Sequence, residues 1–381
     1  MSRTILITAG GTGGHLFPAQ ALAAELGRRG HVVELATDAR VSDFGKDFPA
    51  RAVHVISSAT LSGRSPLALA RTALKLGRGL IQARRLIARL RPDAVVGFGG
   101  YPTFPPMFAA FLGGVPSVLH EANAVMGRAN RMLAGRVTAV ATSFPLVDGD
   151  DSQFAAKSVR TGNPVRDAVI AASGRDYVAA GPGETFRLLV FGGSQGARFF
   201  SDAMPGALER MTGEERARLE LVQQCRPEDM ARMREACDRL GVKAELASFF
   251  VDMPERIANA HLVLCRSGAS SVSELAVIGR PSILVPLPHA LDNDQGRNAE
   301  VLASAGGAWP VRQADLDAER LAALLGELMA APERLSAAAR AARAAGHPDA
   351  VGRLADLVEH VASGAPVGAL AAHLDQRGSA S

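Results

Sequence analysis

Residues 4–15 read TILITAGGTGGH, a short apolar run that leads at once into a glycine-rich loop and a histidine. Residues 4–8 carry no charge and are rich in β-branched side chains, and both features favour a buried strand. The Ala- and Leu-rich segment 18–29 follows the loop and predicts a helix. This strand–loop–helix unit is typical of a doubly wound α/β sheet, in which ligands bind beyond the carboxyl ends of the strands.

The same unit recurs along the chain and predicts two sheets. Residues 186–191 form a second predicted strand that leads into a glycine turn, as residues 4–8 do. We therefore expect two doubly wound domains, with a boundary near Asn163-Pro164. Further strands are predicted at 31–36, 93–97, 117–120, 246–249, 262–265 and 282–285. The expected organisation is an amino-terminal domain at 1–163, a carboxyl-terminal domain at 164–362 and a frayed tail at 363–381. Packing of the last helix back on the amino-terminal domain is an open alternative.

The composition indicates a soluble protein in a reducing compartment. Hydrophobic residues make up 48% of the chain and charged residues 21%, an ordinary balance. The three cysteines, Cys225, Cys237 and Cys265, have no C-x-x-C spacing, so we expect neither disulfides nor a zinc site. Arg3 leads at once into a strand, and no run of eighteen apolar residues occurs, so we expect no secretory signal and no membrane span. A net charge of +4 and few aromatics disfavour nucleic-acid binding.

The first glycine loop suits a phosphate or another anion. Glycines allow a sharp turn that exposes backbone N–H groups, and the amino terminus of the following helix favours negative charge. Leu16 occupies the place of the third glycine of a dinucleotide fingerprint, which disfavours that class. A plain tight turn remains the alternative. His15 stands where a general base would be useful, and the alternative is a histidine that only caps or packs.

Two later loops repeat this chemistry in the second half. Gly192-Gly193-Ser194-Gln195-Gly196 again follows a strand, with Ser194 and Gln195 as hydrogen-bond donors. Residues 265–274, CRSGASSVSE, follow another strand and open a helix, for which Ser267 and Gly268 are candidate caps. Glu274 is placed to accept hydrogen bonds from ribose hydroxyls, or it is a solvated helix charge. Together the two loops predict a nucleotide diphosphate site in this half.

These motifs, taken in order, resemble those of the MurG family of UDP-N-acetylglucosamine transferases. The family implies the GT-B architecture, an α/β fold of two Rossmann-like, doubly wound domains that face each other across a cleft. It also implies that the amino-terminal domain binds a lipid acceptor and the membrane, and that the carboxyl-terminal domain binds UDP-N-acetylglucosamine. The motifs are GGTGGH (10–15), GFGGYP (97–102), HEANAV (120–125), GNPVR (162–166), GGSQGA (192–197) and RSGA (266–269). Ala122 departs from the glutamine usual in the family.

Carried over residue by residue, the resemblance implies a complete donor site and a general base. His15 is the implied base that deprotonates the acceptor hydroxyl. The implied contacts are Thr12, Gly13 and Gly14 to the sugar or diphosphate; Asn123 and Gln295 to the sugar; Arg166 and Ser194 around the nucleotide and diphosphate; the backbone of Phe250 to uracil; Ala269, Ser270, Ser271, Val272 and Ser273 to the diphosphate and ribose; and Glu274 to the ribose.

The implied reaction transfers N-acetylglucosamine, with inversion, to the 4-hydroxyl of the N-acetylmuramyl-pentapeptide of undecaprenyl-linked lipid I. The product is lipid II for peptidoglycan synthesis, made at the cytoplasmic face of the inner membrane by a peripheral enzyme. We expect no cofactor and no essential metal, and cell-wall synthesis proteins are candidate partners. The alternatives are another GT-B glycosyltransferase, a UDP-N-acetylglucosamine epimerase of the same fold, an NAD-dependent oxidoreductase and a non-catalytic sensor.

The segment between Pro66 and Pro92 predicts a helix with two different faces. Leu69, Ala73, Leu76, Leu80, Ala83 and Ile87 form the expected core face. The opposite face alternates apolar and basic residues, each Leu or Ile four positions before an Arg: Leu67, Arg71, Leu74, Arg78, Ile81 and Arg85. Such a stripe suits an anionic bilayer surface, and the alternative is a buried helix whose arginines extend to solvent.

Overall fold

The structure is a computed structural model that describes residues 2–10, 13–39, 48–58, 65–145, 149–192 and 198–368. Its strands are β1 (Thr4–Thr8), β2 (Val32–Thr37), β3 (Ala52–Val55), β4 (Ala94–Gly97), β5 (Ser117–Glu121), β6 (Ala139–Thr142), β7 (Ser158–Arg160), β8 (Phe186–Phe191), β9 (Leu219–Gln224), β10 (Lys243–Ala247), β11 (Leu262–Cys265), β12 (Ser282–Leu284) and β13 (Ala308–Pro310). Its α-helices are α1 (Gly13–Arg28), α2 (Pro66–Leu90), α3 (Phe104–Leu112), α4 (Arg128–Ala134), α5 (Asp167–Ser173), α6 (Arg198–Arg210), α7 (Gly213–Arg218), α8 (Met230–Leu240), α9 (Met253–Asn259), α10 (Ala269–Ile278), α11 (Asp294–Ser304), α12 (Ala318–Met329), α13 (Pro332–Ala345) and α14 (Ala350–Ala362).

The chain divides into two units. The first extends to Arg166 and takes in the chain again from Pro348 onward, and the second comprises Asp167–His347. The last helix, α14, therefore belongs to the first unit and packs against α1. Val367, in the segment predicted as a frayed tail, is buried in the same core. Residues 369–381 lie outside the described part of the chain.

The first unit is a parallel sheet with helices on both faces. Its strand order is β3-β2-β1-β4-β5-β6-β7, so the order reverses between β1 and β4. Because successive side chains of a strand point to opposite faces, Ile5 and Ile7 pack with α1 and α14, whereas Leu6 packs with α2 and α3. Burial on both faces explains why β1 reads as a continuous apolar run.

The second unit repeats this architecture. Its sheet is parallel with the order β10-β9-β8-β11-β12-β13, and the order reverses between β8 and β11. One core of this unit packs Leu188 and Val190 of β8 against Phe200 and Met204 of α6. The fold class and the two Rossmann-like sheets are thus as predicted.

Several predicted boundaries differ from those of the structure. The first helix begins at Gly13, not residue 18, because the glycine loop itself enters the helix. The strand predicted at 246–249 is β10, Lys243–Ala247, because Ser248 and Phe249 already turn away at the sheet edge. On α2, Ala83 and Ile87 are buried as predicted, but Ala73 of the expected core face is exposed.

Candidate active site

His15 lies where the strand order of the first sheet reverses, in the first turn of α1. Its half-buried imidazole rests against the loop that follows β4. A Cβ atom added to Gly99 would stand 3.3 Å from His15 Cε1, and one added to Gly100 would stand 3.4 Å from His15 Cδ2. Both glycines have positive φ, +85° and +78°, so this turn requires glycine for its backbone and for the space beside the ring. The sequence did not indicate this contact.

A second histidine, His120, is fully buried at the end of β5. Its ring centroid lies 5.0 Å from that of Phe98, and Ser143 Oγ lies 3.3 Å from its Nε2. Burial, with a smaller contribution from the nearby His15, lowers the pKa of His120 to about 4 against the opposing effect of the Gly162 backbone. His120 is therefore neutral at pH 7 and adds no charge beside His15.

Glu121 follows His120 and organises the loop that carries Asn123. Its carboxylate is buried and accepts hydrogen bonds from Asn123 N (3.0 Å), Asn123 Nδ2 (3.3 Å), Gly127 N (2.9 Å) and Asn130 Nδ2 (2.7 Å). Burial raises the pKa of Glu121, and these N–H groups oppose that rise. Sequence reasoning missed this residue, although a carboxylate at the carboxyl end of a buried strand is a signal that could have found it.

Arg166 ends the segment that leads out of the first unit. Its guanidinium lies over the ring of Phe17, 4.3 Å from the centroid, an attractive cation–π arrangement. Phe17 lies on α1, two residues after His15, so Arg166 is held near the start of that helix. In the same motif the buried amide of Asn163 has no hydrogen-bond partner among the described residues.

The second unit presents the amino terminus of α10 at the reversal point of its sheet. Gly268 is the cap residue and makes no side-chain cap hydrogen bond, and the amino terminus of a helix favours an anion. Ser267, predicted as a cap, is not one, because its hydroxyl donates to Gln295 O at 2.8 Å. Glu274 is 8% exposed, so the alternative of a solvated helix charge is wrong.

Gln295 binds the loop after β12 through its side chain and the loop after β11 through its backbone. Its Oε1 accepts from Leu287 N at 3.0 Å, and its carbonyl accepts the Ser267 hydroxyl. Arg266, buried between the loops, donates to Val285 O and to Gln313 Oε1 at 3.1 and 2.6 Å. The loops after β11, β12 and β13 therefore form one hydrogen-bonded edge around the start of α10.

Phe250 is buried beyond the end of β10 in the same unit. The Arg256 guanidinium lies 4.0 Å from its ring centroid and is itself paired with Glu245 and Asp252, both at 2.8 Å. Nearby, Gln224 bridges two strand ends, accepting from Gly192 N at 3.4 Å and donating to Ser248 O at 3.1 Å. These contacts fix the backbone around Phe250.

The structure groups the predicted site residues within each unit. Gly13, Gly14, His15, Asn123 and Arg166 lie in the first unit. The residues of the α10 start, Ala269, Ser270, Ser271, Val272, Ser273 and Glu274, lie with Phe250 and Gln295 in the second. Thr12 and Ser194 lie outside the described residues. Within the described ranges no group of three or more His, Cys, Asp or Glu side chains has a metal-binding arrangement.

The basic stripe of α2 is exposed. Leu74 and Ile81 are 76% and 55% exposed, and Arg71, Arg78 and Arg85 are exposed as well. The side chain of Leu67 lies outside the described part. The alternative of a buried helix is therefore wrong for this face. No helix in the described ranges is long and apolar enough to cross a membrane.

Two protein-family models match the chain, and they cover most of it. The model of the glycosyltransferase family 28 N-terminal domain matches residues 5–142, and that of the C-terminal domain matches residues 187–354. A protein of Chelativorans sp. (strain BNC1) named UDP-N-acetylglucosamine–N-acetylmuramyl-(pentapeptide) pyrophosphoryl-undecaprenol N-acetylglucosamine transferase is 57% identical over 365 residues, 96% of this chain and 97% of that protein.

Solved structures show the same architecture. The crystal structure of MurG from Acinetobacter baumannii superposes with a TM-score of 0.76 at 27% identity, over 94% of this chain and 99% of that one. The UDP-GlcNAc 2-epimerase of Neisseria meningitidis, solved with UDP-GlcNAc bound, has a TM-score of 0.64 at 13% identity, over 93% of this chain and 98% of its own. At that identity the likeness concerns the fold alone.

Proposed function

This chain belongs to the MurG family within glycosyltransferase family 28, and on that premise we propose that it transfers N-acetylglucosamine from UDP-N-acetylglucosamine to lipid I. The product is lipid II, the undecaprenyl-linked disaccharide precursor of peptidoglycan. The observation that carries the proposal is the identity to named transferases over almost the whole chain. It favours transfer over epimerisation, because the epimerase shares only the fold.

We assign the nucleotide to the second unit. The amino terminus of α10, where the cap residue is Gly268, suits the diphosphate, since its N–H groups and helix dipole favour negative charge. Ser194 and Arg166 add contacts around the nucleotide and diphosphate. Glu274, which is buried on the same helix, accepts hydrogen bonds from the ribose hydroxyls. The backbone at Phe250, held by Arg256 and Gln224, reads uracil.

The first unit is assigned the acceptor and part of the sugar. Thr12, Gly13 and Gly14 approach the sugar or diphosphate through a loop without bulky side chains, and Asn123 contacts the sugar. Gln295 of the second unit also contacts the sugar. His15 is the general base, held against Gly99 and Gly100 at the carboxyl edge of the sheet.

The reaction is a single displacement at the anomeric carbon. The 4-hydroxyl oxygen of the acceptor forms a bond to C1 of the sugar while the bond between C1 and the β-phosphate oxygen breaks. The electron pair of that bond leaves with UDP, and the hydroxyl proton passes to His15. Attack opposite the leaving group inverts the α-linkage to a β(1→4) bond. Fixed N–H groups at α10 stabilise the charge that develops on UDP.

The lipid acceptor requires the enzyme to reach a membrane. The exposed face of α2 presents Leu74 and Ile81 between Arg71, Arg78 and Arg85, with Leu67 extending the stripe in sequence. Apolar side chains that enter the interface and arginines that meet anionic headgroups together suit peripheral binding. We place this binding at the cytoplasmic face of the inner membrane, where proteins of cell-wall synthesis are candidate partners.

One assay tests the proposed function. Purified protein is incubated with UDP-N-acetylglucosamine with and without lipid I, and released UDP is measured. We expect UDP release only with lipid I, and its loss in His15→Ala with the fold retained. Formation of UDP-N-acetylmannosamine without acceptor would indicate an epimerase instead. A normal rate for His15→Ala would remove the assignment of the base.

A further inference from the structure

Glu121 is a buried carboxylate for which the chemistry above gives no direct role. It ends β5 and is 2% exposed. Among the described residues its hydrogen-bond partners are neutral N–H groups from Asn123, Gly127 and Asn130. Burying a carboxylate without a cation beside it costs free energy. The presence of Glu121 at the edge of the site therefore suggests a functional role.

The four hydrogen bonds fix the loop and the direction of one side chain. Oε1 accepts from both the backbone and the side-chain nitrogen of Asn123, at 3.0 and 3.3 Å. Because the two polar atoms of an amide lie on opposite sides of its carbon, this pairing turns Asn123 Oδ1 away from Glu121. A neutral glutamine at residue 121 would offer N–H groups of its own and would no longer specify that direction.

The other carboxylate oxygen connects to the surroundings of the base. Oε2 accepts from Gly127 N at 2.9 Å and from Asn130 Nδ2 at 2.7 Å. Asn130 also donates to His120 O at 3.2 Å. Its amide and the His15 ring both approach Gly99, since a Cβ placed there would lie 3.4 Å from Asn130 Nδ2 and 3.3 Å from His15 Cε1. One carboxylate thus links the Asn123 loop to the residues that pack beside His15.

We propose that Glu121 is a positioning residue that fixes Asn123 so that its carbonyl oxygen is presented as a hydrogen-bond acceptor to the sugar of the donor. The inference rests on the proposed function, because it takes the ligand to be a nucleotide sugar. Glu121 does not touch the substrate. It selects, through Asn123, a donor whose sugar offers an N–H or O–H group at that point.

Binding measurements separate this role from general stability. We expect Glu121→Gln to weaken the affinity for UDP-N-acetylglucosamine by about 10- to 100-fold, while the affinity for UDP, which lacks the sugar, is unchanged. Asn123→Ala is expected to show the same selective loss. Isothermal titration calorimetry with both ligands gives the ratio, and circular dichroism reports the fold.

A reversed pair supplies the decisive control. Asn123→Asp alone places two carboxylates side by side and is expected to weaken binding of the sugar nucleotide. In the double variant Glu121→Gln/Asn123→Asp, the new amide donates to the new carboxylate, which still presents an oxygen, so the affinity is expected to recover at least in part. Equal losses for UDP and UDP-N-acetylglucosamine, or a double variant no better than either single one, would overturn the inference.

The same series distinguishes the inference from its premise. The proposed function would be contradicted if the wild-type protein bound UDP-N-acetylglucosamine no more tightly than UDP and transferred no sugar to lipid I. Wild-type protein that transfers normally while Glu121→Gln keeps the full affinity for UDP-N-acetylglucosamine would contradict only the role of Glu121.

Discussion

At the scale of single residues, the space beside His15 depends on glycines in the loop after β4. Gly99 combines a φ of +85° with a place where an added Cβ would lie 3.3 Å from His15 Cε1. Gly99→Ala is therefore expected to displace the imidazole and lower kcat by about 100-fold, the effect of a misplacement near 1 Å. The measurement is steady-state UDP release with lipid I.

Gly30 supplies the matched control for this substitution. Its φ is +81°, but nothing lies within 4 Å of an added Cβ. Gly30→Ala carries the same kind of backbone strain without touching the site, so its Tm is expected to fall while kcat stays at the wild-type value. Equal losses of kcat in the two variants would show that strain, and not contact with His15, is responsible.

Single residues also show where sequence reasoning stops. The glycines, His15 and Glu274 could be chosen from the sequence because each stands at a fixed distance from the end of a predicted strand. The four hydrogen bonds of Glu121 depend on how the segment 123–130 folds back onto its carboxylate. The Ser267 bond to Gln295 and the contact of Gly99 with His15 join residues from different loops. Only the folded sheet brings those loops to one edge.

At the scale of elements, the exposed face of α2 predicts binding to anionic membranes. Leu74 is 76% exposed on this face, so Leu74→Glu removes an apolar contact and adds a charge that anionic headgroups repel. We expect weaker binding to vesicles of anionic lipid in a sedimentation assay, with the fold unchanged.

The second unit offers a control for the added charge. Val178 is 75% exposed there, and Val178→Glu introduces the same charge on a comparably exposed apolar side chain. Its vesicle binding is expected to match that of the wild type. If Leu74→Glu bound as well as Val178→Glu, the assignment of α2 to the membrane would be wrong.

Arg280 joins the ends of two helices of the second unit. The fully buried guanidinium donates to Ala258 O at 2.7 Å, to Ile278 O at 2.9 Å and to Arg175 O at 3.1 Å, and burial lowers its pKa to about 10. A cation at helix carboxyl ends is favourable. Arg280→Met leaves these carbonyls without a donor and is expected to lower the free energy of unfolding by about 3 kcal/mol.

Arg340 tests whether charge alone explains that loss. It is exposed on α13, so Arg340→Met removes the same charge without uncovering buried carbonyls. Urea unfolding is expected to show a change within about 0.5 kcal/mol for this variant. Comparable losses in Arg280→Met and Arg340→Met would contradict the role given to the buried guanidinium.

Strands could be predicted from the sequence where a continuous apolar run forms a fully buried strand. β8 and β11 are buried runs bounded by glycine or a turn, and their limits agree with the sequence. β3, β6, β7, β9 and β13 were not predicted. All five strands lie at or beside sheet edges, and all but β9 have only three or four residues. At such places tertiary pairing rather than local propensity determines the conformation.

At the scale of the whole molecule, the end of the chain returns to the first unit through α14. Leu354, Leu357 and Val358 are buried in the core of that unit. Arg29 pairs with Asp356 and Glu359 at 2.7 and 2.8 Å. The sequence left open whether this last helix packs back on the amino-terminal domain, and in the structure α14 contacts α1. The two units could be predicted because the first strand of each sheet in chain order, β1 and β8, leads into a glycine-rich stretch of sequence.

This attachment is expected to depend on pH. Burial alone would raise the pKa of Glu359, but the hydrogen bond with His31 and the charge of Arg29 outweigh it and hold the pKa below its usual value. A lowered pKa means that the stabilisation is full above the usual pKa of a glutamate, 4.5, and is lost as the pH falls through the lower folded value. Glu359→Gln is therefore expected to lower Tm at pH 7 and to converge with the wild type in acid.

The comparison requires an exposed glutamate as a control. Glu235 lies exposed on α8 of the second unit, and Glu235→Gln is expected to follow the wild-type Tm at every pH. A constant difference between Glu359→Gln and the wild type from pH 7 into the acid range would show that the carboxylate charge does not hold α14 in place.

The central claim is that this chain makes a β(1→4) bond from N-acetylglucosamine to a lipid-linked acceptor. UDP-N-acetylglucosamine labelled with ¹³C at the anomeric carbon, incubated with lipid I and the enzyme, tests it directly through the NMR spectrum of the extracted lipid. We predict a labelled disaccharide lipid whose new linkage is β and whose acceptor position is the 4-hydroxyl. Label that stays on the nucleotide, or a lipid product with an α linkage, would contradict it.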